Sequence, residues 1–156
     1  AADLINQTSE EELAKIIFEF GEERYSRKIA KSIKSTKNIL TALDLKEAIR
    51  RATPPHKRNK TLARVFQAIR IAVNSELEKL KIFLNIFIDY LTVGGRIIIM
   101  SYHSIEDRMV KHAFRSLKES GKLNILTKKP ITPSAGELIS NNRSRSAKLR
   151  AAERLI

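Results

Sequence analysis

The chain has 156 residues, enough for one domain or for a helical subdomain plus part of a larger fold, and 42% of its residues are apolar. No apolar run reaches the ~18 residues of a membrane-spanning helix, and the first residues lack the pattern of a secretory signal. The absence of cysteine excludes disulfides and thiolate metal sites, which fits a cytoplasmic protein. The 30 Lys and Arg against 17 Asp and Glu give a net charge of +13, which favours a polyanionic partner such as nucleic acid, with plain solubility as the alternative.

The first predicted helix begins at Ser9. Glu12 follows three residues later, which is the spacing of a capping box. Gly21 is expected to end this helix as a left-handed residue, because glycine adopts a positive φ without a steric penalty.

Two more short helices complete a predicted all-α unit. One covers residues 22–35 and has a strongly basic outer face. The other begins at Thr41, with Asp44 three residues later, and stops before Pro54, because the residue before a proline is disfavoured in the α region. We therefore predict a helical subdomain over residues 1–60 and a second domain over residues 61–156.

The second domain is predicted to start with a long amphipathic helix over residues 61–91, either continuous or broken once. Residues 96–101 are rich in β-branched side chains and predict a strand buried on both faces, of the kind found in parallel sheets. Ser104 is expected to cap the helix that follows, and residues 123–127 predict a short strand. This order of elements is typical of the second half of an open α/β sheet.

The last part of the chain is predicted to be a loop over residues 128–142 followed by a strand from about residue 147. The strand is inferred from alternation, with Ala147, Leu149, Ala151 and Leu155 facing inward, and a helix is the alternative.

The densest group of polar side chains is Ser-Tyr-His-Ser-Ile-Glu-Asp-Arg at residues 101–108. It lies at a predicted strand end, where open α/β sheets bind ligands, and it could hold a nucleobase while the helix start contacts a phosphate. The alternative is that these are ordinary residues of a helix N-terminus. A serine hydrolase is disfavoured, since there is no Gly-x-Ser-x-Gly elbow, and the scattered histidines predict no metal site.

Two groups of arginines are candidates for contacts to RNA phosphates. Arg143 and Arg145 alternate with small polar residues before the final strand, and Arg64 and Arg70 share a polar stripe of the long helix. A solvated charge run is the alternative reading of each.

No glycine-rich turn follows a strand in the sequence, so a nucleotide-like cofactor must be held mainly by residues outside this chain.

Four blocks of the sequence together resemble the RsmH (MraW) family of ribosomal RNA cytosine-N4 methyltransferases. The resemblance lies in Ser9-Glu-Glu-Glu-Leu with Phe20-Gly-Glu-Glu-Arg-Tyr, in residues 63–77, in Gly94-Gly-Arg-Ile with residues 101–108, and in residues 142–154. The chain departs from the family at residues 60–64, where His-Pro-Ala-Thr-Arg is usual, and at Tyr102, where Phe is common.

The resemblance implies an incomplete class I, Rossmann-like methyltransferase sheet, in an α/β fold with an inserted all-α helical subdomain. It implies S-adenosylmethionine as the cofactor, bound mainly by residues absent from this chain, and 16S ribosomal RNA of the small ribosomal subunit as the partner. In this reading Ser101, His103 and Ser104 line the substrate pocket, and the RNA-binding residues are Arg64, Arg70, Arg108, Arg143 and Arg145.

Two further expectations concern the chain by itself. A fragment that lacks the donor-binding half would be inactive, and an unpaired edge on its first strand would promote self-association. The competing hypothesis is a non-catalytic, basic RNA-binding or assembly module.

Overall fold

The computed structural model describes residues 1–37 and 39–156, which form a mixed α/β chain that is mostly helical. These residues divide into two compact units, Ala1–Glu76 and Leu77–Ile156. Within the described ranges, none of the helices has the length and apolar character needed to cross a bilayer. The predicted boundary at residue 60 refers to where an inserted subdomain rejoins a larger sheet, and it stays a prediction.

The first unit is built from helices around one apolar core. Its helices are α1 (Ala2–Gln7), α2 (Glu10–Gly21), α3 (Ser26–Lys34), α4 (Ala42–Ala52) and α5 (Arg58–Asn74), with a 3-10 turn at Pro55–Lys57. Amphipathic spacing places one apolar stripe of each helix in this core, where Leu13, Ile17, Ile29, Ile49 and Val65 are fully buried.

The predicted helix starts at Ser9 and Thr41 are confirmed. Each hydroxyl accepts a hydrogen bond from the backbone N–H three residues on, at 3.2 Å, and the Glu12 or Asp44 carboxylate accepts from the capping residue's own N–H. The end of α4 at Thr53, which is extended before Pro54, is also as predicted.

Helix α2 ends at Gly21 as predicted, but the prediction that Gly21 is the left-handed residue is wrong. Gly21 is the last helical residue of α2, and Glu22 takes the left-handed conformation with φ 50°. A Cβ added at Gly21 would lie 2.8 Å from the carbonyl oxygen of Arg64, so the glycine allows α2 and α5 to approach closely. The second predicted helix begins four residues late, at Ser26, and α1 was not anticipated.

The segment predicted as one long helix or two is two. Ser75, with φ 51°, ends α5, and α6 (Glu76–Ile86) follows with a 3-10 turn at Phe87–Tyr90. The remaining elements are β1 (Arg96–Ser101), α7 (Ser104–Glu119), β2 (Leu123–Ile125), α8 (Ala135–Ser140), a 3-10 turn at Asn142–Ser146, and β3 (Lys148–Arg154). The region predicted as a loop over residues 128–142 therefore contains α8, and the final segment is a strand.

The sheet of the second unit has the order β1-β3-β2, and both pairs are antiparallel. In the β1–β3 pair Ile98 lies opposite Ala151. Helix α7 packs on the sheet, and Phe114 of α7 is buried in the same core as Leu123 and Ala152.

The expectation that β1 is buried on both faces, as in a parallel sheet, is corrected. Ile97 and Ile99 pack against the core, but Ile98 and Met100 are 65% and 52% exposed, and the partner strand β3 is antiparallel. Successive side chains of a strand point to opposite faces, so the described residues cover only one face of β1.

Candidate nucleic-acid site

The functional candidates of the second unit surround the junction between β1 and α7. The N-cap of α7 is His103, whose backbone is extended and whose Nδ1 accepts the N–H of Glu106 at 3.3 Å. Ser104, predicted as the cap, is instead the first helical residue. Because Nδ1 accepts a hydrogen bond, the proton of the neutral imidazole lies on Nε2, which makes that nitrogen a donor.

Glu106 holds this junction together. Its Oε2 accepts the N–H of Tyr102 at 2.9 Å, and its Oε1 lies 3.3 Å from His103 Nε2 without hydrogen-bond geometry. Partial burial works to raise the pKa of Glu106, but the contacts with His103 and the Tyr102 N–H outweigh burial and hold the pKa below its ordinary value. Glu106 is therefore a carboxylate at neutral pH, and His103 Nε2 is a buried donor without a hydrogen-bond partner among the described residues.

The three predicted pocket residues differ in access to solvent. Ser101 and His103 are buried, whereas Ser104 and the intervening Tyr102 are exposed. Tyr102 and His103 form the bend between β1 and α7, and the backbone of His103 is extended. The structure thus brings these residues together on one turn of chain and presents Tyr102 and Ser104 at its surface.

A buried ion pair ties the first turn of α7 to β3, and sequence reasoning missed it. Arg150 donates to both carboxylate oxygens of Asp107, at 2.7 and 3.2 Å, and Lys148 Nζ lies 3.4 Å from the same carboxylate. Burial works to raise the pKa of Asp107, but the hydrogen bonds and charge of Arg150, with Lys148, hold it below its ordinary value.

This pair also corrects the predicted orientation of the final strand. Arg150 and Ala152 face inward and are buried, whereas Leu149 and Ala151 are only partly covered. The apolar alternation predicted the wrong inward-facing side chains of β3, because an arginine can take a buried position where a carboxylate is available to pair with it. Nothing in the alternation of β3 itself could have pointed to Asp107, which is 43 residues away in sequence.

The predicted RNA-binding arginines of the first unit are engaged within that unit. Arg64 NH1 lies 3.5 Å from the buried carboxylate of Glu23, which also accepts the hydroxyl of Thr61. Arg70 binds Glu76 through two nitrogens, at 2.9 and 3.1 Å. A phosphate would therefore compete with a carboxylate at each of these guanidinium groups.

The predicted arginines of the second unit are exposed. Arg108 lies on α7, and Arg143 and Arg145 lie on the 3-10 turn before β3. Arg143 also lines a hollow of about 310 Å³ together with Tyr102. We call this space the Tyr102–Arg143 hollow; it brings together two motifs that are 41 residues apart in the sequence.

The glycines near β1 and the ends of the strands show which local geometry the described residues offer to a nucleotide-like cofactor. Gly94 and Gly95 precede β1 in a turn, and a Cβ on Gly95 would lie 2.7 Å from the carbonyl oxygen of Thr92. Across residues 1–37 and 39–156, the strand ends lead into Tyr102, Leu126 or Leu155 and not into a glycine-rich loop.

Comparison with known proteins relates nearly the whole chain to one protein family. The sequence profile described as the MraW methylase family matches residues 1–155. Three similar proteins carry the name "Ribosomal RNA small subunit methyltransferase H". The protein of Thermotoga neapolitana is 54% identical over 98% of this chain, that of Kosmotoga olearia 52% over 99%, and that of Synechococcus elongatus 46% over 100%.

The match covers only part of each relative. The aligned region is 52% of the Thermotoga neapolitana protein and 53% of the other two. The chain therefore spans about half the length of the curated relatives it matches.

Proposed function

The chain belongs to the MraW methylase family, and on that premise we propose that it is the C-terminal part of an enzyme that methylates N4 of a cytidine in 16S ribosomal RNA. The methyl donor in this proposal is S-adenosylmethionine. The carrying observation is the family match over residues 1–155, at 46–54% identity to relatives named as small-subunit ribosomal RNA methyltransferases. The net charge of +13 supports an RNA substrate, because cations that neutralise phosphates release condensed counterions.

The second unit is, in this proposal, part of a larger class I methyltransferase sheet into which the helical unit is inserted. The exposed Ile98 and Met100 support this, since a strand with two apolar faces is typical of a sheet covered on both sides. Among the described residues β3 is the only strand that pairs with β1, so its other edge is open to a further strand. We assign those additional elements to the part of the protein that the relatives have and this chain does not.

The donor is bound by residues outside this chain, since its own strand ends offer no glycine-rich cradle. The share of this chain is to bind the RNA and orient the acceptor amine, and such positioning supplies much of the acceleration in group transfer. His103 carries a buried N–H at Nε2, which suits the O2 or N3 acceptor of cytosine. Ser101 and Ser104 complete the pocket. Phosphates are bound by five exposed arginines, Arg64, Arg70, Arg108, Arg143 and Arg145.

The test uses the full-length enzyme, undermethylated small ribosomal subunits and mass spectrometry of the digested RNA. The wild-type enzyme is expected to produce N4-methylcytidine, and a different modified nucleoside, or none, would contradict the proposal. His103→Ala should lower turnover at least 10-fold. His103→Asn separates the two roles of the side chain, because asparagine preserves a good N-cap but lacks Nε2. Loss of turnover in both variants supports contact with cytosine, whereas recovery in His103→Asn reduces His103 to a helix cap.

Calorimetric titration of this chain alone with S-adenosylmethionine distinguishes the rival hypothesis. We expect no binding to the isolated chain and binding to the full-length enzyme. If the full-length protein also fails to bind the donor while it binds RNA, the non-catalytic RNA-binding module is the better account.

A further inference from the structure

The Tyr102–Arg143 hollow has the composition of a binding site that neither the family match nor the names of the relatives assign. Its lining includes the apolar side chains of Met100, Ile131 and Leu149. It also includes Tyr102, Asn141 and Arg143, which are all exposed. A volume of about 310 Å³ is at the lower end of the range for small-ligand pockets.

We propose that this hollow binds one unpaired nucleotide of the RNA substrate, next to the nucleotide that is modified. The base stacks on the ring of Tyr102 and the guanidinium of Arg143 meets the adjoining phosphate. Aromatic rings accept any base by stacking, and arginine binds phosphate through two donors, so these groups together suit single-stranded RNA. This inference rests on the proposed function, and it adds Tyr102 and Asn141 to the residues that bind RNA.

The walls of the hollow are held in place before any ligand arrives. The Tyr102 hydroxyl lies 3.2 Å from the sulfur of Met100, and the backbone N–H of Tyr102 donates to the carboxylate of Glu106. Elsewhere in the lining, Ile131 and Leu149 exchange two backbone hydrogen bonds of 2.9 Å. A preorganised surface loses little conformational entropy on binding, which favours a ligand site over a chance depression.

The position of Tyr102 explains why the nucleotide would be a neighbour of the target and not the target itself. Tyr102 and His103 are adjacent in the sequence but differ in access to solvent, since one side chain is exposed and the other is buried. Two successive nucleotides of a strand with unstacked bases could thus be bound on the two sides of one short segment. Asn141, in the lining, offers both a donor and an acceptor to a base edge. Glu137, also in the lining, offers an acceptor for an exocyclic amine.

The experiment measures binding of this chain to a fluorescent 12-nucleotide single-stranded RNA by anisotropy, with the same RNA as a duplex for comparison. Tyr102→Leu removes the ring and keeps an apolar side chain, and we expect about 5- to 160-fold weaker binding of the single strand, the loss typical of one base–aromatic stack. Tyr102→Phe should bind within about twofold of wild type. Tyr90→Leu is the matched control, since Tyr90 is an exposed tyrosine of the same unit and should not matter.

Two further readouts separate stacking from simple charge. An RNA with 2-aminopurine should lose fluorescence on binding wild type and Tyr102→Phe but not Tyr102→Leu. Arg143→Ala should lower the slope of log affinity against log salt by about one, whereas Arg115→Ala, at an exposed i,i+4 pair with Glu119, should change it less.

The inference is overturned if Tyr102→Leu binds and quenches like wild type, or if the wild-type chain does not bind the single strand. Either result leaves the methylation assay of the full-length enzyme to decide the proposed function separately. Formation of N4-methylcytidine by an enzyme with Tyr102→Leu at an unchanged KM for RNA would likewise refute the hollow while supporting the function.

Discussion

The two units of this chain differ in how completely each one buries its own apolar surface. Among its described residues, the helical unit has a core of fourteen buried apolar residues, contributed by α1, α2, α3, α4 and α5 and by Ile39. The sheet unit is of similar length but has a core of seven, and most of the exposed large apolar side chains of the chain belong to it. The helical unit is therefore closed around its core, whereas the sheet unit covers only one face of β1.

The difference shows what a small domain needs in order to be stable alone. Helices can bury one apolar stripe each against one another, so a bundle is complete when each stripe has a partner. A strand with apolar side chains on both faces needs a layer on each side, and α7 supplies one such layer. The apolar side chains of β1 are therefore covered on one face of the sheet only. This agrees with a chain that spans about half the length of its relatives.

The contrast between the two units predicts that they unfold separately. Phe114→Ala removes a fully buried ring from the smaller core, and we expect a loss of about 3–5 kcal/mol in the free energy of unfolding of the sheet unit. Hydrogen exchange followed by mass spectrometry should show lost protection in β1, α7 and β3, with α2 and α5 still protected.

The control for this variant is Phe83→Ala, the same change at a half-exposed ring of the sheet unit. It should cost well under half as much. Parallel loss of protection in α2 and α5 with Phe114→Ala would show that the helical unit depends on the sheet unit, against the comparison drawn above.

The ion pair of the sheet unit gives the next largest expected effect. Asp107→Asn leaves Arg150 buried without a counter-charge and should cost about 3 kcal/mol at pH 7, at the lower end for a buried pair because Asp107 is not fully enclosed. The pKa of Asp107 is lowered on folding, so its stabilisation is present above the ordinary value of 3.8 and is lost as the pH falls through the folded value. The difference between wild type and Asp107→Asn should therefore be constant near neutrality and should shrink below about pH 4.

Denaturant unfolding of both proteins between pH 3 and pH 7 measures this difference. Glu119→Gln is the matched control, because it breaks an exposed pair with Arg115 and should cost no more than about 0.5 kcal/mol at any pH. A difference between wild type and Asp107→Asn that did not depend on pH would argue against a charged Asp107 in the folded protein.

The sequence predicted the elements that depend on local rules. The helix starts at Ser9 and Thr41, the end of α4 before Pro54 and the final strand were all predicted, since each depends on side chains within a few residues. The misplaced cap of α7 shows the limit of such rules, because an imidazole nitrogen in the extended residue before Ser104 accepts the bond expected of the hydroxyl. The Gly21 error had a tertiary cause, the close approach of α5.

The candidate site was predicted as a segment of sequence, residues 101–108, and the structure places this segment at a strand end as expected. The sequence did not predict which distant residues lie beside it. Arg150 pairs with Asp107, and Arg143 lines the same hollow as Tyr102, although each pair is about 40 positions apart in the sequence. Contacts of that kind depend on the pairing of β1 with β3, which no local pattern specifies.

The open face and edge of β1 lead to the smallest predicted effect, self-association of the isolated chain. An edge strand offers unpaired backbone groups to a second copy, and the exposed Ile98 and Met100 add apolar surface beside them. Ile98→Lys should shift the chain toward monomer by several-fold in sedimentation velocity, because a charged residue on an edge strand opposes pairing. Ile139→Lys adds the same charge at an exposed isoleucine of α8, outside the sheet, and should leave the distribution unchanged. A wild-type chain that is monomeric at high concentration would show that the sheet unit does not need a partner at β1, and would remove the main physical contrast between the two units.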